Sequence, residues 1–185
     1  MDLKYKKIHF IGIGGIGMSG IAEILLRSGY EISGSDLSEN QLTKHLSSLG
    51  AQISIGHKAS NLGQSQAVVF SSAISSNNPE LESAKNKGLG LIHRGQMLAK
   101  LMSVRKSISI CGTHGKTSTT ALISSILQNA SLDPTIVVGA YLESIGSNAY
   151  LGQGEWIVAE ADESDRSFLE ISPDCAVITN IDLDH

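Results

Sequence analysis

The sequence predicts an α/β protein: a mostly parallel sheet with helices on both faces, in a pattern that starts afresh part-way along the chain. Short runs rich in Val and Ile alternate with segments of helical apolar spacing, the signature of strand–helix–strand units. Two glycine loops, at 12–17 and 112–117, each follow an apolar run and open a helix. Composition agrees, since 41% of the residues are apolar, only 4% are aromatic, and the 19 glycines exceed the average share of about 7%.

Residues 8–13 form an apolar run ending in glycines, the first strand. Ile16, Ile21, Ile24 and Leu25 then recur at helical spacing up to Gly29. Residues 31–35 read as a second strand. Ser38 is placed to cap a helix reaching Leu49, with Leu42, Leu46 and Leu49 on one face. Strands follow at 52–55 and 67–71. Pro79 suits the first turn of a helix running through Lys87, and Gly88 suits its end. A shorter strand at 90–93 precedes a helix at 95–102 with Met97, Leu98 and Leu101 apolar.

After a joint at 102–106 the alternation restarts: strand 107–111, loop 112–115, a helix from Lys116 to near Ala130, and strand 135–138. On that helix Ala121, Leu122, Ser125 and Ile126 are expected to pack on the sheet. Residues 141–154 read as irregular, and 155–161 and 174–181 as the last strands. A strand that has just delivered polar residues is a poor place for a domain to finish, so the chain reads as a fragment. There is no internal repeat and no low-complexity segment.

Lys and Arg number 14 against 18 Asp and Glu, for a net charge of −4. That disfavours a nucleic-acid partner and leaves room for a local basic site for one phosphate chain. No stretch approaches the ~20 apolar residues of a membrane span. Lys4, Lys6 and Lys7 before an apolar segment imitate a signal peptide, but the glycines from Gly12 to Gly20 interrupt it. The expectation is a soluble, cytoplasmic protein. Cys111 and Cys175 lie in strand-like runs and read as buried thiols of a reducing compartment.

Gly12-Ile13-Gly14-Gly15-Ile16-Gly17 satisfies G-x-G-x-x-G, with a strand before it, a helix after it, and Asp36 at the end of the next strand. This places a diphosphate at a helix N-terminus and a carboxylate near a ribose hydroxyl. NAD, FAD and a nucleotide sugar share those parts, so the motif leaves the ligand open. Gly112-Thr113-His114-Gly115-Lys116-Thr117, with Ser118 next, is a phosphate loop. Its amides and the helix N-terminus hold phosphate oxygens, Lys116 reaches the outer phosphates, and Thr117 offers Mg²⁺ an oxygen. The usual G-x-x-x-x-G-K-[ST] would need glycine at 110, where this chain has Ile110. His114 reads as shaping the loop.

The acidic run Glu160-Ala161-Asp162-Glu163-Ser164-Asp165 follows the apolar Trp156-Ile157-Val158-Ala159. Such runs are usually solvated faces. Glu160, however, falls at the carboxyl end of a central strand, where ligands of open α/β sheets gather and a carboxylate can bind Mg²⁺. Asp182, Asp184 and His185 follow another strand, and metal or phosphate binding there competes with an ordinary terminus.

Phe10-Ile11-Gly12-Ile13-Gly14-Gly15-Ile16-Gly17-Met18-Ser19-Gly20, the loop 112–117, the run 160–165 and Thr179-Asn180-Ile181-Asp182 together resemble the Mur ligases of bacterial cell-wall synthesis. The resemblance spans the chain. Its first motif is similar to that of the branch joining L-alanine to UDP-N-acetylmuramate, more than to the branch that recycles muramyl peptides. It implies a Rossmann-like UDP-binding domain over 1–104 and an incomplete central P-loop-type ATPase domain over 105–185. It also implies a C-terminal amino-acid-binding domain absent from this chain.

By that resemblance Gly12, Gly14, Gly15, Gly17, Asp36, Ser71 and Ser72 would serve UDP. Gly112, Thr113, His114, Gly115, Lys116, Thr117 and Ser118 would serve ATP. Thr117, Glu160 and His185 would line Mg²⁺ sites, and Asn148 would approach the muramyl group. Lys116, Glu160 and His185 would be the catalytic set. The family's carboxylate attacks the γ-phosphorus of ATP, giving an acyl phosphate that the amine of L-alanine displaces, so catalysis is positioning and charge neutralisation. Ala140 and Leu183 depart from the family's pattern and bear on local loop shape. Two other readings are a nucleotide-sugar-binding unit without turnover and an NAD-dependent dehydrogenase; the latter leaves 112–117 and Glu160 unexplained. Without the third domain the 185 residues are expected not to ligate alanine. Oligomeric state is not set by the sequence.

Overall fold

The computed structural model describes residues 3–143, 145–161 and 167–182. The chain divides into two compact units, Met1–Arg94 and Gly95–His185. The division precedes the expected joint because the helix Arg94–Met102 belongs, beyond its first residue, with the second unit.

In the first unit β1 (Lys7–Ile11), α1 (Ile16–Arg27), β2 (Glu31–Asp36), α2 (Gln41–Ser48), β3 (Gln52–Ile55), β4 (Ala67–Phe70), α3 (Pro79–Asn86) and β5 (Gly90–His93) follow in turn, with a 3-10 turn at Ala59–Leu62. The strands lie in the order β3-β2-β1-β4-β5, every neighbouring pair parallel. The order reverses at β1, so the crevice outside the carboxyl ends of β1 and β4 is the natural ligand site. Alternation along β1 puts Ile11 in a cluster with Leu62, Val68, Leu81 and Ala84, while Ile8 and Phe10 are buried too. Each such side chain contributes about 1.5–3 kcal/mol of burial. Helix α1 turns Met18, Ile21, Ala22, Ile24 and Leu25 inward.

Helix α2 starts later than Ser38 would set it. Asn40 is its cap, its side chain accepting from the Thr43 amide at 2.9 Å while Thr43 Oγ1 accepts from the Asn40 amide at 2.9 Å. Two reciprocal bonds satisfy two orphan donors at once. Helix α3 opens at Pro79 as expected and ends at Asn86, with Lys87 as its C-terminal cap; Asn78, which the sequence reading does not single out, caps its start.

The second unit holds α4 (Arg94–Met102), β6 (Lys106–Cys111), α5 (Lys116–Asn129), β7 (Thr135–Leu142), β8 (Ser147–Tyr150), β9 (Trp156–Glu160), a 3-10 turn at Ser167–Glu170 and β10 (Cys175–Ile178). The order is β10-β6-β9-β7-β8, parallel except for the antiparallel β7–β8 pair. The segment expected to be irregular at 141–154 thus contains the end of β7 and all of β8. A register irregularity between Val137 and Leu142 interrupts that hairpin and blurs its two-residue alternation.

Two further expectations fail. Leu122 and Ile126 are 62% and 58% exposed, whereas Thr120 and Ser124 are buried. The helix lies on the sheet by its small hydroxylated face. Cys175 is exposed and Cys111 half-buried; among the described residues β10 pairs with β6 alone, so no second strand there covers Cys175. Among the described residues no helix is long and apolar enough to cross a membrane.

Candidate functional site

In the first unit the chain leaves β1 into the loop at Gly12, whose φ of +77° suits glycine. The Gly12 and Ile13 amides donate to the Ser35 carbonyl at 2.8 and 3.0 Å, and the Gly14 amide donates to Asp36 Oδ2 at 2.8 Å. A Cβ on Gly14 would fall 2.7 Å from Asn40 Nδ2 and 2.9 Å from Asp36 Oδ2, so only glycine admits both side chains. Asn40 Nδ2 also donates to the Gly14 carbonyl at 3.1 Å. Gly15 caps α1 without a side-chain acceptor, leaving the positive helix end turned to the loop.

The loop after β4 closes in beside it. A Cβ on Gly12 would lie 3.4 Å from Ile74 Cδ1, and the Ile74 amide donates to the Ser71 carbonyl at 3.0 Å. Ser72 Oγ and His93 Nε2 are 3.0 Å apart, and the His93 ring meets Phe70 edge-on at 5.7 Å. Arg94 brings a cation: its Nη1 stands 3.0 Å from where a Cβ on Gly17 would be. Gly12, Gly14, Gly15, Gly17, Asp36 and Ser71-Ser72 therefore share the carboxyl edge of one sheet. Asn40, His93 and Arg94 join them unannounced by the motif.

Beneath this edge lies a buried polar cluster. Glu80 is fully buried; its Oε2 accepts from Ser35 Oγ at 2.5 Å, and its Oε1 from Asn61 Nδ2 at 2.6 Å and the Lys58 amide at 3.2 Å. His57 Nδ1 is 3.3 Å and His9 Nε2 3.6 Å from Oε2. Burial alone would raise the carboxyl pKa, but the adjacent His9 ring and the donors from Ser35 and Asn61 outweigh it and hold the value at about 2.

The second unit repeats the strand–loop–helix plan. Gly112 has φ +124° and Gly115, the residue before α5, φ +80°. Lys116 Nζ lies over the loop, donating to the Gly112 carbonyl at 2.6 Å. The loop is stapled to the segment after β10. The His114 carbonyl accepts from Thr179 Oγ1 at 2.6 Å and Asn180 Nδ2 at 2.9 Å, while Asn180 Oδ1 accepts from the His114 amide at 3.0 Å. Thr113 Oγ1 accepts from the Asp182 amide at 3.1 Å. His114 thus shapes the loop through its backbone.

Glu160 stands level with Ile110, and the next amide, Ala161, donates to the Ile110 carbonyl at 2.8 Å. Its Oε2 accepts from the Gly139 amide at 2.9 Å; its Oε1 is buried with no hydrogen-bond partner among the described residues. Asn148, 1% exposed, lies on β8 beside the irregularity of β7, the strand that carries Gly139. Thr117 and Ser118 open α5. His185 lies outside the described residues, as do Asp162, Glu163, Asp165 and Asp184. Among the described residues no three His, Cys, Asp or Glu side chains gather as a metal site.

Two sequence profiles match the chain: residues 7–106 the one described as the Mur ligase family catalytic domain, and 110–185 the Mur ligase middle domain. The chain belongs to the Mur ligase family. A family member from Aquifex aeolicus, named UDP-N-acetylmuramate–L-alanine ligase, is 56% identical over 182 residues, or 98% of this chain and 40% of its own length. One of the same name from Pelobacter propionicus is 58% identical over 182 residues, again 40% of its length. Among solved structures, a UDP-N-acetylmuramate–alanine ligase from Thermotoga maritima superposes with a TM-score of 0.91 at 34% identity, covering 97% of this chain and 42% of that one. A UDP-N-acetylmuramate:L-alanyl-γ-D-glutamyl-meso-diaminopimelate ligase from Neisseria gives 0.89 at 30%, covering 97% and 62%. The chain spans about two-fifths of the length of these curated Mur ligase relatives.

Proposed function

We propose that this chain carries the nucleotide-handling part of an ATP-dependent ligase that joins L-alanine to the carboxylate of UDP-N-acetylmuramate in peptidoglycan synthesis. The observation that carries the reading is the pair of glycine loops, each at the carboxyl edge of its own sheet, in a chain 56–58% identical to relatives of that name.

In the first unit, the loop amides and the uncapped end of α1 would hold the UDP diphosphate, with Arg94 as countercharge. Asp36, already held by the Gly14 amide, keeps an oxygen toward the ribose, and Ser71 and Ser72 close the edge from the β4 side. In the second, the loop 112–118 would hold ATP. Lys116 is tethered over the loop by the Gly112 carbonyl and turns from it to the outer phosphates. ATP supplies the phosphoryl group that activates the carboxylate, and Mg²⁺ neutralises the phosphate charge. The buried Glu160 Oε1, partnerless among the described residues, and the Thr117 hydroxyl are hard oxygen donors that fit Mg²⁺. His185 would complete that set, and Asn148 would orient the muramyl group. No side chain here serves as a nucleophile; the residues orient and neutralise.

Calorimetric titration with UDP-N-acetylmuramate, UDP and NAD tests the first unit: tighter binding of NAD overturns the reading. In the full-length protein, Lys116→Met should reduce ADP formation dependent on both UDP-N-acetylmuramate and L-alanine by about 10²-fold or more. Undiminished turnover would remove Lys116 from its role.

A further inference from the structure

Glu80 lies far from either glycine motif in sequence and occupies the first turn of α3, where Asn78 Oδ1 accepts from its amide at 2.9 Å. The helix end favours the negative charge, yet a fully buried carboxylate persists only when its oxygens are well supplied with donors. It gathers them from β2, from the turn after β3 and from the 3-10 turn, through Ser35, Lys58 and Asn61.

The donor from β2 matters most. Ser35 gives its hydroxyl to Glu80 and its carbonyl to the Gly12 and Ile13 amides, and the next residue, Asp36, takes the Gly14 amide. Three loop amides thus hang on two consecutive residues of β2, and Glu80 grips the first of them from beneath. We propose that Glu80 is a positioning residue for the first glycine loop, acting through Ser35 to fix where the loop presents its amides to a nucleotide diphosphate. The proposal rests on the UDP-binding reading above. Small displacements of a preorganised binding loop are expensive, because hydrogen bonds weaken steeply off their geometry.

The test uses Glu80→Gln, which keeps the shape but turns an amide donor toward the cluster, together with Ser35→Ala and the double variant. UDP affinity is measured by calorimetry and amide exchange by NMR on the 185-residue chain. In folded Glu80→Gln, UDP affinity is expected to fall about tenfold, the size of one lost charge-assisted hydrogen bond. Ser35→Ala should lose a similar factor, and the double variant no more than Glu80→Gln alone. Exchange should quicken at Gly12 and Ile13 while Val68 and Val69 of β4 stay as before. Unchanged affinity with unchanged exchange at Gly12 and Ile13, additive losses, or exchange quickened equally in β4 would each overturn the proposal. Should Glu80→Gln not fold, Ser35→Ala carries the test alone, since it cuts the link and leaves Glu80 its other donors. A native chain that binds no UDP sinks the nucleotide reading instead, and the exchange at Gly12 and Ile13 then decides the hold of Glu80 by itself.

Discussion

Gly112→Ala separates two reasons for glycine in the second loop. At φ +124° an alanine is strained wherever it points, and here its Cβ would also stand 2.8 Å from the Asn180 carbonyl oxygen and 3.0 Å from the Asn180 amide nitrogen, with Thr179 Oγ1 closer still. Strain and overpacking together should cost about 2–5 kcal/mol. Gly115→Ala carries the strain alone: its φ is +80° and nothing lies within 4 Å of its Cβ, so about 1–2 kcal/mol is expected. The single tryptophan, Trp156, begins β9 in the second unit and reports on that unit's unfolding. With a urea slope of about 1–3 kcal/mol/M, Gly112→Ala should lower the midpoint by about 1–2 M and Gly115→Ala by less than half as much. ATP binding should vanish in Gly112→Ala, because displacing Thr179 and Asn180 releases the His114 carbonyl they hold. Equal midpoint losses in the two variants would refute the claim that the 179–180 segment is the loop's wall.

Arg94→Ala should weaken UDP binding about tenfold and flatten its salt dependence, measured by calorimetry at two ionic strengths. Glu80 titrates at about 2 instead of 4.5, so its contribution is present above pH 4.5 and is lost as pH falls toward 2. The stability gap between native chain and Glu80→Gln should be about 3 kcal/mol near neutrality and close over that window in urea melts at stepped pH. Thr120 is fully buried and its Oγ1 has no hydrogen-bond partner among the described residues. Thr120→Val keeps the shape and removes an unsatisfied hydroxyl, so it should raise the Trp156-detected midpoint by about 1 kcal/mol equivalent; a lowered midpoint would show that the hydroxyl is satisfied.

The sequence makes legible what local chemistry controls. Gly12, Gly29, Gly88, Gly112 and Gly115 all take positive φ, and each punctuates a strand or helix where the pattern places one. What it hides is set by pairing between distant segments. Nothing local tells that Ser35 will face Glu80, or that Thr113 and His114 will meet residues 180 and 182. Helix α5 misleads for a related reason. Its amphipathic stripe names Leu122 and Ile126, but α5 meets β6, β7 and β9 through a row of small residues. In the hairpin, the bulged register of β7 erases the alternation that would have announced β8. Spacing alone does not choose the cap, since Gln41 follows Ser38 as Thr43 follows Asn40; the structure forms the Asn40–Thr43 box, and the Asn40 side chain also reaches the Gly14 carbonyl, a tertiary contact that no local pattern announces.

The two loops share a plan and differ in what anchors them, and the difference has a consequence for rigidity. The first hangs on β2, an interior strand flanked by β1 and β3, whose end is clamped by a buried carboxylate. The second hangs on the residues that follow β10, which among the described residues pairs with β6 alone, with Ile178 61% exposed. An edge strand opens at lower free energy than an interior one, since fewer backbone bonds and less buried apolar area must be given up. When β10 opens, Thr179, Asn180 and Asp182 leave together, and the Thr113 and His114 anchors go with them. The second glycine loop therefore inherits the local stability of β10.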